Sequence, residues 1–250
     1  MTAAAIEARG LGKDFGTIRA LEQLDLDVRA GEFFGLLGPN GAGKTTTVHL
    51  LATLLAPTRG TARVVGHDVV RDDLAVRRAI GLVFQETTLD RDLTVQENLR
   101  FAGRLWNLPG PLAVPRIEGL VRQFGLLERR DDPVRTLSGG MRRAADLARG
   151  MLHEPRVLFL DEPTAGLDPR TRRSLWELIG RLRQASGLTV FLTTHYVEEA
   201  EPCDRVAVMD HGRLVALGTP AELKRTTGVT SLEEVFLART GHALGETGAG

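Results

Sequence analysis

Gly38-Pro39-Asn40-Gly41-Ala42-Gly43-Lys44-Thr45 restricts the fold of this 250-residue chain more than any other stretch. It fits the pattern G-x-x-x-x-G-K-[ST], whose chemistry requires a buried strand before it and a helix after it. Phe33 to Leu37 is the short apolar run expected of such a strand, and Thr45 to Leu55 reads as a helix that stops ahead of Pro57. Glycines 38, 41 and 43 allow a tight turn with backbone N–H groups facing inward, and the helix N-terminus adds partial positive charge. The loop is therefore an anion cradle. Lys44 is placed to reach β- and γ-phosphates and the Thr45 hydroxyl to ligate Mg²⁺. Only Lys13, Lys44 and Lys224 are lysine among 32 basic residues, so a lysine at this position of an arginine-rich chain is informative.

A second run, Arg156-Val157-Leu158-Phe159-Leu160-Asp161-Glu162-Pro163, reads as a central parallel strand that delivers two carboxylates at its C-terminal edge, the ligand side of an α/β sheet. Alone it reads equally well as a buried strand ending in a solvated acidic turn. With the phosphate loop, Asp161 is expected to hold Mg²⁺ through water and Glu162 to polarise the attacking water as general base.

Composition excludes more than it identifies. Hydrophobic residues at 42% and charged residues at 26% argue against a disordered or fibrous chain. Thirty-two basic and 32 acidic residues cancel, so the net charge carries no nucleic-acid footprint. One cysteine, Cys203, excludes an intramolecular disulfide, and the six histidines are too scattered in sequence to announce a metal site. Apolar stretches such as Val157 to Leu160 are far below the roughly 18 residues of a spanning helix, and Met1 to Ala5 lacks the features of a secretory leader. The expectation is a chain that neither crosses a membrane nor is secreted.

Between the two motifs lies Leu137-Ser138-Gly139-Gly140-Met141. Ser138 reads as a helix N-cap, and Gly139 and Gly140 leave the first N–H groups of the following helix uncovered, a second anion site. With this segment nearly the whole chain resembles an ABC ATPase. The resemblance implies that Ser138, Gly139 and Gly140 contact the γ-phosphate of ATP held by a second copy, in a head-to-tail dimer enclosing two nucleotides. It assigns nucleotide contacts to the loop residues Gly38, Pro39, Asn40, Gly41, Ala42, Gly43, Lys44, Thr45 and Thr46. Phe15, in Lys13-Asp14-Phe15-Gly16, matches the aromatic that stacks on adenine, where many members carry tyrosine. Gln85 matches the glutamine that contacts Mg²⁺ or the attacking water and senses the membrane partner. Asp168 matches the loop that communicates across the dimer, and with Pro169 behind it also makes a helix N-cap. His195, directly after the β-branched strand Leu188 to Thr194, matches the switch histidine that holds the γ-phosphate; a lone histidine is more often a satisfied structural residue, but its place about thirty residues after Asp161-Glu162 and directly after a strand reverses those odds. Met141 departs from the glutamine many members carry at that place.

The implied fold class is α/β: a P-loop NTPase, RecA-like core with a mixed to parallel sheet, an N-terminal antiparallel β-subdomain and an inserted α-helical subdomain. A single ATPase domain is expected over 1–240, with about 1–88 and 155–225 forming the core and β-subdomain, about 89–154 the helical signature subdomain, and 226–250 a short tail whose glycine-rich end, 241–250, frays. Alternating Leu24, Leu26 and Val28 suit half-buried antiparallel strands, and Arg63-Val64-Val65 adds to them. Thr94-Val95-Gln96-Glu97 is a capping box opening a helix with Leu99, Leu105, Trp106 and Leu108 near helical spacing, and Pro109-Gly110-Pro111 and Pro115 interrupt the insertion. Val206 to Met209 and Leu214 to Leu217 flank a glycine turn, with His211 a turn residue.

The resemblance further implies an ATPase that uses ATP and Mg²⁺, pairs with a second copy and a separately encoded permease at the cytoplasmic side of the cell membrane, and binds no nucleic acid. The segments from Ser138, Ala200 and Ser231 look most similar to drug-resistance and antibiotic-export ATPases, so export of a drug, antibiotic or lipid-like compound is expected, with selectivity lying in the permease. An import ATPase shares every motif. A non-transport relative acting on DNA or ribosomes usually carries two ATPase halves, a long coiled coil or zinc cysteines.

Overall fold

The computed structural model describes residues 4–244, which divide into two compact units, one running to Ile80 and resuming at Thr189, the other spanning Gly81–Leu188. The first unit opens with β1 (Ala4–Phe15), β2 (Ile18–Arg29), β3 (Phe33–Leu37), α1 (Lys44–Leu51), β4 (Arg59–Val64), β5 (His67–Asp68) and α2 (Asp73–Ala79). The chain passes into the second through β6 (Ile80–Val83), and that unit contains α3 (Val95–Leu105), α4 (Gly110–Gln123), α5 (Gly139–Met151), β7 (Val157–Asp161) and α6 (Pro169–Ser186). The chain then returns to the first unit with β8 (Thr189–Thr194), α7 (Val197–Ala200), β9 (Arg205–Asp210), β10 (Arg213–Gly218), α8 (Pro220–Thr227) and α9 (Leu232–Thr240).

The fold is α/β with a mixed sheet. Strands of the first unit follow the order β5-β4-β1-β2-β10-β9-β3-β8. β1, β2, β4 and β5 pair antiparallel, and Ile6, Ala8, Leu11, Leu24, Leu26 and Val28 alternate inward, as their period-2 pattern requires. β3 pairs parallel with both β8 and β9, and all five of its residues are buried, so it reads as a continuous apolar run instead of alternating. β9 and β10 form a hairpin whose turn residues His211 and Gly212 both have positive φ, 43° and 74°.

In the second unit β6 and β7 lie side by side, and β7 is wholly buried. Gly81 marks the close approach of α5: a Cβ there would stand 2.5 Å from the Gly150 carbonyl. The capping box of Thr94 and Glu97 opens α3 as read from sequence.

Three local readings differ from the structure. The helix after the phosphate loop ends at Leu51, and Thr53 turns out at φ 63°. Leu105 is 67% exposed, because the buried face of α3 is Val95, Asn98, Leu99, Ala102 and Gly103. Pro115 does not break the insertion but lies inside α4, whose first turn contains Pro111. Its ring removes the one bond from position 115 to the carbonyl of 111, and the helix continues past it to Gln123.

Within the stretch read as a tail, α9 is ordered and buries Leu232, Val235 and Phe236, and Gly241 closes it at φ 82°. Residues 1–3 and 245–250, including the end of the stretch expected to fray, lie outside the described residues. No described helix is long and apolar enough to cross a membrane.

Candidate functional site

The phosphate loop runs from the end of β3 into α1. Gly38 donates its N–H to Thr194 O at the end of β8 (3.2 Å), and Ala42 donates to Pro39 O (3.2 Å), which closes the loop on itself. Two glycines are required here for different reasons. Gly43 sits at φ 98°, and a Cβ on it would stand 2.7 Å from the Ala20 carbonyl. A Cβ on Gly38 would stand 2.4 Å from Met209 O. Lys44 is only 4% exposed, and its Nζ donates to Gly38 O (2.8 Å) and Pro39 O (3.0 Å), so the ammonium charge is held over the hollow of the loop by the loop's own carbonyls. Thr47, one turn on, ties its hydroxyl to Gly43 O (2.9 Å), while Thr45 is exposed at the mouth.

Two further sequence candidates belong to this unit. Phe15, at the end of β1, is 46% exposed with Lys13 Nζ 5.2 Å from its ring centroid, so it is not a core aromatic. His195 follows β8, half-buried, with its ring centroid 4.0 Å from that of Tyr196. The backbone beneath it is fixed: Tyr196 N–H donates to Thr194 Oγ1 (2.9 Å), and that hydroxyl donates to buried Glu199 (2.6 Å).

The remaining candidates lie in the second unit. Asp161 ends β7 and is 3% exposed; Glu162 follows at 8% with φ 46°, a left-handed conformation uncommon outside glycine. Ser138 caps α5 by accepting from Met141 N–H (3.3 Å), and Ser138 and Gly139 are exposed. Gly140 is held tightly: a Cβ there would meet Thr171 Cγ2 at 2.4 Å. Thr171 in turn donates its hydroxyl to Asp168 Oδ2 (2.6 Å), and Asp168 Oδ1 caps α6 by accepting from the Arg170 and Thr171 N–H groups, both at 3.1 Å. The Thr171 hydroxyl and then these backbone donors hold the Asp168 carboxyl below its ordinary pKa. Ser138, Gly140, Met141, Asp168, Arg170 and Thr171 line an open cavity of about 650 Å³.

Gln85 is exposed just after β6, and its main chain is clamped from α5 in a way the motifs did not announce. Arg143 donates to the carbonyls of Phe84 and Gln85. Arg143 is buried, which pulls its pKa down, and Asp146 beside it is buried, which pushes its carboxyl up. Asp146 pairs with Arg149 (3.0 Å) and accepts from Thr88 Oγ1 (3.4 Å). The three-residue spacing of Arg143, Asp146 and Arg149 along one helical face is the only trace of this clamp in the sequence.

These motifs, in this chain order on this fold, agree with the comparisons to known proteins. Residues 21–165 match the model of the ABC transporter family. The chain is a member of that family. The ABC chain is 50% identical over 225 residues to the daunorubicin/doxorubicin resistance ATP-binding protein DrrA of Streptomyces peucetius, covering 90% of this chain and 68% of that one. It is 45% identical over 219 residues to the Nod factor export ATP-binding protein I of Ralstonia nicotianae, covering 87% and 68%. A solved ATP-binding subunit of an ABC transporter superposes with a TM-score of 0.84 at 30% identity, over 94% of this chain and 99% of that one. The ABC chain is accordingly an ATP-binding ATPase subunit of a transporter.

Proposed function

We propose that this ATPase drives export by closing on ATP as a head-to-tail pair attached to a separate membrane permease. The carrying observation is the open N-terminal end of α5, where Ser138 and Gly139 stand exposed beside a cavity of about 650 Å³ that also presents Arg170, an arrangement suited to an anion. That helix end is a distinct element from the phosphate loop, and a second copy's nucleotide would be its ligand. Gly38 to Thr46 would hold the triphosphate and Phe15 the adenine; Ser138, Gly139 and Gly140 would complete the partner's site, with Asp168 communicating across the pair.

Chemistry would be positioning plus one proton transfer. Glu162 accepts a proton from the attacking water, His195 orients the γ-phosphate, and Lys44 offsets charge that develops on it. Mg²⁺, when bound, would neutralise phosphate charge, and Thr45, Gln85 and Asp161 supply the hard hydroxyl, amide and carboxylate oxygens such an ion takes. The Arg143 clamp on the Gln85 main chain would carry the nucleotide state toward the permease.

Export of a drug, antibiotic or lipid-like compound, from the cytoplasmic face of the membrane, is supported by the resistance and export relatives. Replacing Glu162 with Gln should leave ATP binding intact, abolish turnover and trap an ATP-bound dimer on gel filtration. A chain that stays monomeric with saturating ATP at high protein concentration would refute the paired site. Co-purification with a polytopic permease from detergent-solubilised membranes is expected; recovery with ribosomes or nucleic acid would overturn the transport reading.

A further inference from the structure

Asp210, His211 and His242 come together where the β9–β10 turn meets the segment that follows α9. The two histidines are 31 positions apart in a sequence that gave no metal-ligand spacing. His242 Nε2 lies 3.1 Å from Asp210 Oδ2, and His211 Nε2 lies 3.8 Å from Asp210 Oδ1. One donor atom from each residue lies within 4.8 Å of the others. Ligands of a tetrahedral zinc-class ion, at bonds of roughly 2.0–2.1 Å, stand about 3.3 Å apart. The two measured separations bracket that value.

Two features of the bonding favour a cation in this cluster. The Asp210 side chain is 11% exposed, and its Oδ1 accepts no hydrogen bond among the described residues. A buried carboxylate oxygen so placed needs an account. The His242 ring, in turn, has both nitrogens on acceptors: Nδ1 is 3.3 Å from Ala243 O and Nε2 faces the Asp210 carboxylate. A neutral imidazole has one proton and can satisfy only one of them. With Nδ1–H donating to Ala243 O, the Nε2 lone pair is directed at the carboxylate, and a shared metal ion resolves that opposition. The Nδ1–H···O=C bond is the outer-shell support that metal-binding imidazoles ordinarily have. His242 is also held edge-on by Phe236 at 5.4 Å between centroids, while His211 is 76% exposed and leaves the remaining coordination position to water.

We propose that Asp210, His211 and His242 form a binding site for a zinc-class divalent ion, independent of the nucleotide site. Two imidazoles and one carboxylate select the borderline metals Zn²⁺, Ni²⁺ and Co²⁺ over Mg²⁺ or Ca²⁺, which take oxygen donors. The ion ties the end of α9 to the His211-Gly212 turn. That turn supports the phosphate loop, since Gly212 N–H donates to Ala42 O at 3.0 Å. Metal occupancy therefore fastens the C-terminal helix to the backbone behind the phosphates.

The test is a titration of the tag-free, nucleotide-free full chain with Zn²⁺ alone, followed by calorimetry and by competition with a chromophoric chelator. One ion per chain is expected. His242→Gln and His211→Asn should each weaken that binding by more than the ~10–100-fold that loss of an outer-shell partner causes. Asparagine is chosen at 211 because it tolerates the positive φ there. Circular dichroism and ATP binding of both variants should match the parent, so lost metal binding cannot be assigned to misfolding. Absence of binding by the parent chain overturns the proposal, as does binding that either variant retains, which would place the ion on other histidines.

Discussion

Gly140→Ala tests how the signature helix is held, and the structure sets its size. Gly140 lies in the first turn of α5, where alanine would ordinarily gain about 0.5–1 kcal/mol over glycine. Against this, the new Cβ would stand 2.4 Å from Thr171 Cγ2. Thr171 has little freedom to yield, because its hydroxyl is fixed to Asp168 Oδ2 at 2.6 Å and its N–H to Asp168 Oδ1. Rotating the methyl away breaks a hydrogen bond to a carboxylate, worth about 1.5–3 kcal/mol. Keeping it in place costs an overpacking penalty of about 1–3 kcal/mol. Either route outweighs the propensity gain, so a net loss of about 1–2 kcal/mol is expected, or roughly 2–8 °C in Tm for a chain of this size. Thr171→Ser removes only the offending methyl. The next nearest atoms, Cβ and Oγ1, are 3.6 Å away, an ordinary contact, and the bond to Asp168 survives. The double variant should thus melt at or above the parent temperature. Thermal denaturation of the nucleotide-free chain decides the matter. A Gly140→Ala chain as stable as the parent, or one that Thr171→Ser fails to restore, would refute the packing argument. ATP turnover of the restored double variant should remain below the parent, because the extra methyl still stands at the helix end proposed to complete the second copy's nucleotide site.

Other perturbations follow from the same geometry. Asp168 has a carboxyl pKa held below 3.8 by the Thr171 hydroxyl and the backbone donors of α6, so its stabilisation is fully present above that value and is lost as pH falls through the depressed folded pKa. Asp168→Asn should flatten the acid limb of stability against pH below 3.8, measured by urea unfolding at stepped pH; an unchanged slope would sink the assignment. Phe15→Ala should weaken ATP binding by about 1 kcal/mol, roughly fivefold, with Tm nearly unchanged because the ring is 46% exposed. Phe15→Tyr should retain parental affinity by nucleotide titration, and equal loss in both variants would argue against a stacking face.

What the sequence made legible and what it hid divide by the range of the interaction. The Thr94–Glu97 capping box, the Ser138 cap and the Asp168 cap with Pro169 are bonds between a side chain and backbone two or three residues away, so residue type and spacing specify them. The apolar runs of β3 and β7 and the β-branched run of β8 likewise announced buried strands, because burial on both faces leaves no alternation to misread. The Arg143 clamp on Gln85, 58 positions away, has no local signature, since a guanidinium that meets main-chain carbonyls places no constraint on the residue types it meets. The Asp210–His242 contact was hidden in the same way, and counting histidine spacings argued against any metal site. Pro115 misled because the loss of one backbone bond inside α4 does not end a helix whose Ile117, Leu120 and Val121 are buried beyond it.

Glu162 shows where local rules fail for a different reason. The residue ahead of a proline is steered toward extended φ, and a long side chain disfavours positive φ; both rules put Glu162 in β space before Pro163. The structure has φ 46° at that position, at the end of a wholly buried strand. Two independent preferences are therefore overruled at Glu162, as they are at Glu154 ahead of Pro155 with φ 57°, and the cost of such a conformation is of order 1–3 kcal/mol. Packing can sustain it because β7 is wholly buried and the Glu162 carbonyl accepts from Ala165 N–H at 3.2 Å, closing the turn that follows. An extended residue there would continue the strand direction and could not close that turn. The same pattern at Glu154, in the turn before β7, ties this conformation to tight turns beside prolines rather than to chemistry, so at Glu162 it is closure of the turn after β7 that overrules the local preferences.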